Sequence, residues 1–178
     1  MNIIVPGLYN SNPDHWQSIW QTQFPDDFYR VNQLDWSTPR CSDWVETLEQ
    51  ELQKFNLSDL ILVGHSLGCI AIANWSERYK HIIKGALLVA PADAEDENFL
   101  DSVSGFAPIS LRPMPFPTLV VSSLDDPYTN PDRAMFLARS WGSEFLGMYK
   151  AGHINEISGY GNWPFGLELI EKVKSLAE

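Results

Sequence analysis

Gly64-His65-Ser66-Leu67-Gly68 fits the pattern Gly-x-Ser-x-Gly, after an apolar run (Leu60–Val63) and before a segment of helical period. In that setting the serine sits on a sharp, strained strand-to-helix turn, with its Oγ raised above a sheet. The flanking glycines let strand and helix approach without Cβ clashes. The N–H of Leu67 then lies at a helix N-terminus, where a developing anion is stabilised. A hydroxyl is a poor nucleophile unless a base takes its proton and an acid orients that base. On such a turn the partners follow in the order serine, carboxylate, histidine. This chain supplies both in that order: Leu124-Asp125-Asp126-Pro127 follows the run through Val120-Val121-Ser122-Ser123, and Lys150-Ala151-Gly152-His153 follows a weaker run. The chemistry expected is attack by Ser66 on an acyl carbon, with His153 as general base.

Spacing alone leaves the acid open between Asp125 and Asp126. Pro127 restricts the residue before it to an extended conformation, which favours a fixed Asp126 and leaves Asp125 to face solvent or support the loop. The pair has no nearby histidine or calcium-loop pattern, so no metal is expected, and the reaction calls for no cofactor. The oxyanion needs two N–H donors: Leu67, and Leu8 in the loop Pro6-Gly7-Leu8-Tyr9-Asn10, where Gly7 permits the turn. Tyr9, His15, Trp16 and Phe99 are the expected pocket residues, with Tyr128 and Trp163 as further candidates for the rim. His65 precedes the nucleophile and is expected to point away from it, in a structural role. His81 is expected to be a solvated residue after a helix.

These residues need elements that bring them to one edge. The runs Ile3–Val5, Phe28–Leu34, Leu60–Val63, Gly85–Ala90, Thr118–Val121 and Phe145–Tyr149 read as six strands. They are continuous rather than alternating, the pattern of a sheet covered on both faces. Helical segments lie between them. Ser42–Phe55 carries Trp44, Val45, Leu48 and Leu52 on one face, with Asp43 and Glu46 as a capping pair. Leu67–Tyr79 reads as a mostly buried helix. Asn130-Pro131 starts a helix that Gly142 closes, and a last helix spans Pro164–Leu176. Strand–helix alternation of this kind gives a three-layer α/β/α sandwich around a mostly parallel sheet of about six strands. Its active site would lie outside the strands' carboxyl ends, where Ser66, Asp126 and His153 all emerge.

Length and composition set the frame. The 178 residues suit one domain, and 44% hydrophobic with 20% charged residues is ordinary for a globular protein. Twelve Lys and Arg against 23 Asp and Glu give a net charge of −11, which argues against coating nucleic acid or anionic lipid. Cys41 and Cys69 lack metal-ligand spacing and read as two reduced thiols. No basic n-region and no bilayer-length apolar run is present, so the expectation is a cytoplasmic protein without membrane attachment.

Val5-Pro6-Gly7, His15-Trp16, Gly64-His65-Ser66-Leu67-Gly68, Asp125-Asp126-Pro127-Tyr128 and Ala151-Gly152-His153-Ile154-Asn155 span nearly the whole chain. Together they resemble the small serine hydrolases of the α/β-hydrolase superfamily grouped with retinoblastoma-binding protein 9 and its bacterial relatives. The resemblance implies a minimal α/β-hydrolase fold across residues 1–178 and a triad of Ser66, Asp126 and His153. It implies no retinoblastoma-type partner. The Leu-x-Cys-x-Glu element is missing, since Leu67-Gly68-Cys69 is followed by Ala71 at the last position. The stretch Pro91–Phe116 is too short for a cap domain, so the expected site is shallow, open and suited to small or short-acyl esters. Acidic residues between Asp93 and Asp101 would disfavour anionic substrates. The same triad also supports thioester or amide hydrolysis, or C–C cleavage. A ligand- or protein-binding member with vestigial activity is the reading from another class, though a binding role places no demand on all three residues.

Overall fold

The apolar runs become the strands of one sheet, in a computed structural model that describes residues 1–177. The strands are β1 (Asn2–Val5), β2 (Phe28–Arg30), β3 (Ile61–His65), β4 (Gly85–Val89), β5 (Thr118–Ser123) and β6 (Glu144–Met148). Their order is β2-β1-β3-β4-β5-β6 and every neighbouring pair is parallel. The expected mostly parallel sheet is therefore parallel throughout. The helices are α1 (Trp16–Gln23), α2 (Cys41–Leu52), α3 (Leu67–Tyr79), α4 (Pro131–Trp141) and α5 (Pro164–Ser175).

Successive strand residues point to opposite faces, and both faces are covered. Ile3, Val5, Leu62, Leu88 and Val120 pack with Trp44 of α2, Ile70 of α3 and Leu137 of α4. Ile4, Val63, Leu87, Val89 and Val121 pack with Trp16 and Trp20 of α1 and with Leu169 and Val173 of α5. Each such aliphatic side chain contributes about 1.5–3 kcal/mol on burial. Cys41 and Cys69 are free and buried.

Three elements and one histidine differ from the sequence reading. Helix α1 was not expected; its N-cap is His15, whose side chain accepts from the Gln17 N–H. Strand β2 stops at Arg30, and Leu34 is 95% exposed, because the chain leaves the sheet after Val31 N–H donates to Ile4 O at 3.0 Å. At α2 the N-cap is Arg40, with no side-chain cap bond, and Asp43 lies inside the first turn. There the Cys41 N–H donates instead to Ser104 O at 2.9 Å, so a distant loop takes the place of the expected capping pair. His81 is not simply solvated, since its Nε2 is 3.1 Å from a Glu49 carboxylate oxygen and its ring stacks on Tyr79.

Between β4 and β5 the chain forms no helix or strand, apart from an isolated bridge between Ser104 and Arg40. No cap domain is built there. The segment is tied down instead: Arg133 of α4 pairs with Asp93 at 3.1 Å and with Glu95, and Glu95 accepts from the Ile109 N–H at 2.9 Å. No helix among the described residues is long and apolar enough to cross a membrane.

Candidate active site

Ser66 joins β3 to α3 with φ 53° and ψ −121°, a left-handed backbone that a non-glycine residue adopts only when its surroundings enforce it. The enforcement is visible at its neighbours. A Cβ on Gly68 would lie 2.2 Å from Val5 O and 2.6 Å from Pro6 O, and one on Gly64 would lie 2.8 Å from Ile72 Cδ1. Helix α3 therefore starts hard against the end of β1. Ser66 N–H donates to Val89 O at 3.0 Å, anchoring the turn to the adjacent strand. Positive φ recurs in the non-glycine residues Tyr9, Asn10, Ala90, Lys150 and Ile154, all beyond strand carboxyl ends, and elsewhere only at Lys80, which ends α3, among the described non-glycine residues. Strain is thus concentrated on the edge where the site was expected.

His153 and Ser66 line one cavity of about 580 Å³, within the size range of small-molecule sites. His153 Nδ1 lies 3.0 Å from each carboxylate oxygen of Asp126, and Asp126 also accepts from the Tyr128 N–H at 2.9 Å. With Nδ1 donating to the carboxylate, the lone pair falls on Nε2. The backbone of His153 is held as well: its N–H donates to Ser158 Oγ at 3.1 Å and its carbonyl accepts from His65 Nε2 at 2.9 Å. The Tyr128 ring packs edge-on against the imidazole, with centroids 4.6 Å apart. Ser66 Oγ has no protein hydrogen bond among the described residues, and such bonds are commonly long before substrate binds.

Asp125 has a different task. It accepts from Ser123 Oγ at 2.5 Å and from the Gly152 N–H at 3.0 Å, and Ser123 Oγ in turn accepts from the Ala151 N–H at 2.8 Å. Those bonds fasten the loop after β5 to the loop that carries His153. The Ser123 hydroxyl, followed by the Gly152 N–H, holds the Asp125 carboxyl below the usual carboxylate range.

In the wall of the cavity His15 and His65 meet edge-on, with ring centroids 4.7 Å apart. Burial, reinforced by Arg30 and His153, lowers the pKa of His15 to about 3. Burial also takes His65 well below the ordinary histidine value, with His15 and His153 adding to the effect. Both imidazoles are therefore neutral at neutral pH.

Of the expected pocket residues, Leu8, Tyr9, His15, Leu67, Phe99 and Tyr128 line the cavity. Neither the Leu8 nor the Leu67 N–H donates to a protein acceptor among the described residues. Trp16 does not line it. As the first residue of α1 it is fully buried, and its Nε1–H donates to Ile154 O at 2.8 Å, below the loop that carries His153. Trp163 is likewise buried, stacked on Trp20. Glu156, Asn12 and Asn98 line the cavity without having been singled out. For Glu156 the one available signal was its position three residues after His153.

A serine on a strained turn after a central strand, with a carboxylate-backed histidine beyond later strands of a parallel sheet, defines the α/β-hydrolase class. Within that class the chain belongs to the Serine hydrolase family, whose profile matches residues 2–172. It is similar to a YdeN-like hydrolase from Pectobacterium atrosepticum at 32% identity and TM-score 0.86, over 99% of this chain and 91% of that one. The ydeN gene product of Bacillus subtilis shares 20% identity at TM-score 0.75, over 98% of each chain. A monoacylglycerol lipase from Paleococcus ferrophilus shares 13% identity at TM-score 0.70, over 98% of this chain and 93% of that one. These last two likenesses concern the fold alone. No curated protein sequence matches the chain. The protein is a hydrolase.

Proposed function

We propose that this serine hydrolase, a single domain across residues 1–178, cleaves small or short-acyl carboxylic esters through an acyl-enzyme on Ser66. The observation that carries the reading is the His153–Asp126 pair, with both carboxylate oxygens 3.0 Å from Nδ1 and His153 lining one cavity with the strained Ser66. In the proposed cycle His153 Nε2 takes the Ser66 proton as Oγ bonds to the carbonyl carbon. The oxyanion is held by the Leu67 and Leu8 N–H groups, each such donor being worth roughly 10²–10³ in kcat. Asp126 keeps the imidazole in the required tautomer and stabilises the imidazolium. As the ester bond breaks, His153 gives its proton to the leaving alcohol. Water, deprotonated by His153, then attacks the acyl-enzyme and releases the acid.

The preference for short acyl chains is supported by the segment between β4 and β5, which borders the cavity with Phe99 and Leu100 and builds no cap. A p-nitrophenyl ester series run beside acyl-CoA thioesters of equal chain length tests the assignment. The expected result is a nitrophenol burst and a kcat/KM that peaks at acetyl to butyryl and falls by octanoyl. Faster turnover of thioesters, or a rise with chain length, contradicts it.

A further inference from the structure

Among the residues lining the cavity, Glu156 carries the one permanent charge, and no lysine or arginine joins it. One of its carboxylate oxygens accepts from Asn12 Nδ2 at 2.7 Å; the other has no protein partner among the described residues. No lysine or arginine forms an ion pair with Glu156 among the described residues. Arg30 donates to Asn10, Gln21 and Ser18, and Arg133 pairs with Asp93 and Glu95. The cavity wall thus carries a carboxylate with no cation among its lining residues.

Its position in the reaction follows from the loop that holds it. Gly159 N–H donates to Glu156 O at 3.0 Å, Tyr160 N–H to Asn155 O at 2.9 Å, and His153 N–H to Ser158 Oγ at 3.1 Å. His153 and Glu156 therefore ride on one folded turn. In ester cleavage the leaving oxygen must lie beside the imidazole that protonates it, so the alcohol half of the substrate occupies the His153 flank. The Tyr128 ring stands on that flank, 61% exposed and 4.6 Å from the imidazole ring, and Glu156, on the turn that carries His153, lines the same cavity. An open aromatic ring and a carboxylate without a cationic partner, lining one cavity, are the chemistry that recognises an ammonium group.

We propose that the site selects esters whose alcohol half carries a cationic, ammonium-type group, held by Glu156 and Tyr128, and disfavours alcohols bearing a carboxylate. This rests on the Ser66 reading above and adds the leaving-group class to it.

The test compares butyrylcholine with 3,3-dimethylbutyl butyrate, which has the same shape with carbon in place of the charged nitrogen. With the full chain at low salt, the kcat/KM ratio of charged to neutral ester is expected to be about fivefold, from one partly exposed charge contact and one cation–π contact. The ratio should shrink as salt rises from about 20 to about 300 mM, as the contact is screened. E156Q, which retains an oxygen for Asn12, should bring the ratio close to one, each variant being normalised to its own neutral-ester rate. A wild-type ratio near one with brisk turnover overturns the inference alone. So does a ratio that E156Q leaves intact, or a preference that appears only when the cation is placed on the acyl half. Absence of turnover on both esters overturns the inference together with the Ser66 reading.

Discussion

Replacing Gly68 by alanine adds one methyl group where the structure has no room for it. The new Cβ would stand 2.2 Å from Val5 O and 2.6 Å from Pro6 O, both well inside ordinary contact. Both obstacles are backbone, so no side-chain rotation relieves them. Either the start of α3 recedes from β1 or the Pro6-Gly7-Leu8 loop moves away. Each route separates the Leu67 N–H from the Leu8 N–H and shifts Ser66 against His153. A displacement of about 1 Å at reacting groups costs on the order of 10²-fold in rate. Overpacking of this kind costs about 1–3 kcal/mol of stability, which lowers the Tm of a chain this long by roughly 2–12 °C. The comparison is Gly147→Ala in β6, where the added Cβ meets only side-chain ends, Leu124 Cδ2 and Phe145 Cε1, at an ordinary 3.5 Å. Steady-state kcat/KM on p-nitrophenyl butyrate and thermal melts of both variants make the measurement. G68A is expected to lose about 10²-fold in kcat/KM, while G147A stays within about twofold of wild type, as expected without a clash. A G68A enzyme with unchanged kcat/KM, or equal losses in both variants, would refute the packing account of the turn.

Other consequences follow from the carboxylate and the buried imidazoles. Asp126→Asn should lower kcat by roughly 10³–10⁴-fold by favouring the wrong His153 tautomer, with the circular dichroism spectrum unchanged; a loss below about tenfold would remove Asp126 from its assigned role. His15, with a folded pKa of about 3, stays neutral while the unfolded chain's histidine takes up a proton near 6.5. The stability it contributes is thus fully present above about pH 6.5 and is lost as the pH falls through about 3. His15→Asn keeps a side chain that can cap α1. It should flatten the pH dependence of unfolding free energy between about pH 6 and 4 by up to about 1.4 kcal/mol per pH unit, as measured by urea titrations. An unchanged slope would count against a buried neutral His15.

Much of this site was legible because its signals are local. The Ser66 turn announces itself through Gly64 and Gly68, whose missing side chains leave space for Ile72 and for the Val5 and Pro6 carbonyls. Helix α4 was bounded by Asn130, which caps by accepting from the Asp132 N–H, and by Gly142 with φ 71°. Helix α1 was missed because its cap is a histidine and its buried stripe includes Gln17, whose amide N–H donates to Val63 O at 3.0 Å. Residue type there hides a buried position. The division of labour between Asp125 and Asp126 is tertiary: neighbouring residues bond to opposite partners, one to loop backbone and the other to an imidazole. Glu156 offered only its nearness to His153 in sequence, because the folded turn after His153 is what brings it to the cavity.

Ser66 as nucleophile is the step on which every other role in the site depends. Treating the folded protein with a fluorophosphonate probe and mapping the adduct by peptide mass spectrometry is the most direct test. One adduct per chain is expected, on Ser66, slowed by a competing short-acyl ester and absent from Ser66→Ala. A folded wild-type protein that takes no label, or a Ser66→Ala variant that labels and turns over esters as wild type does, would contradict it.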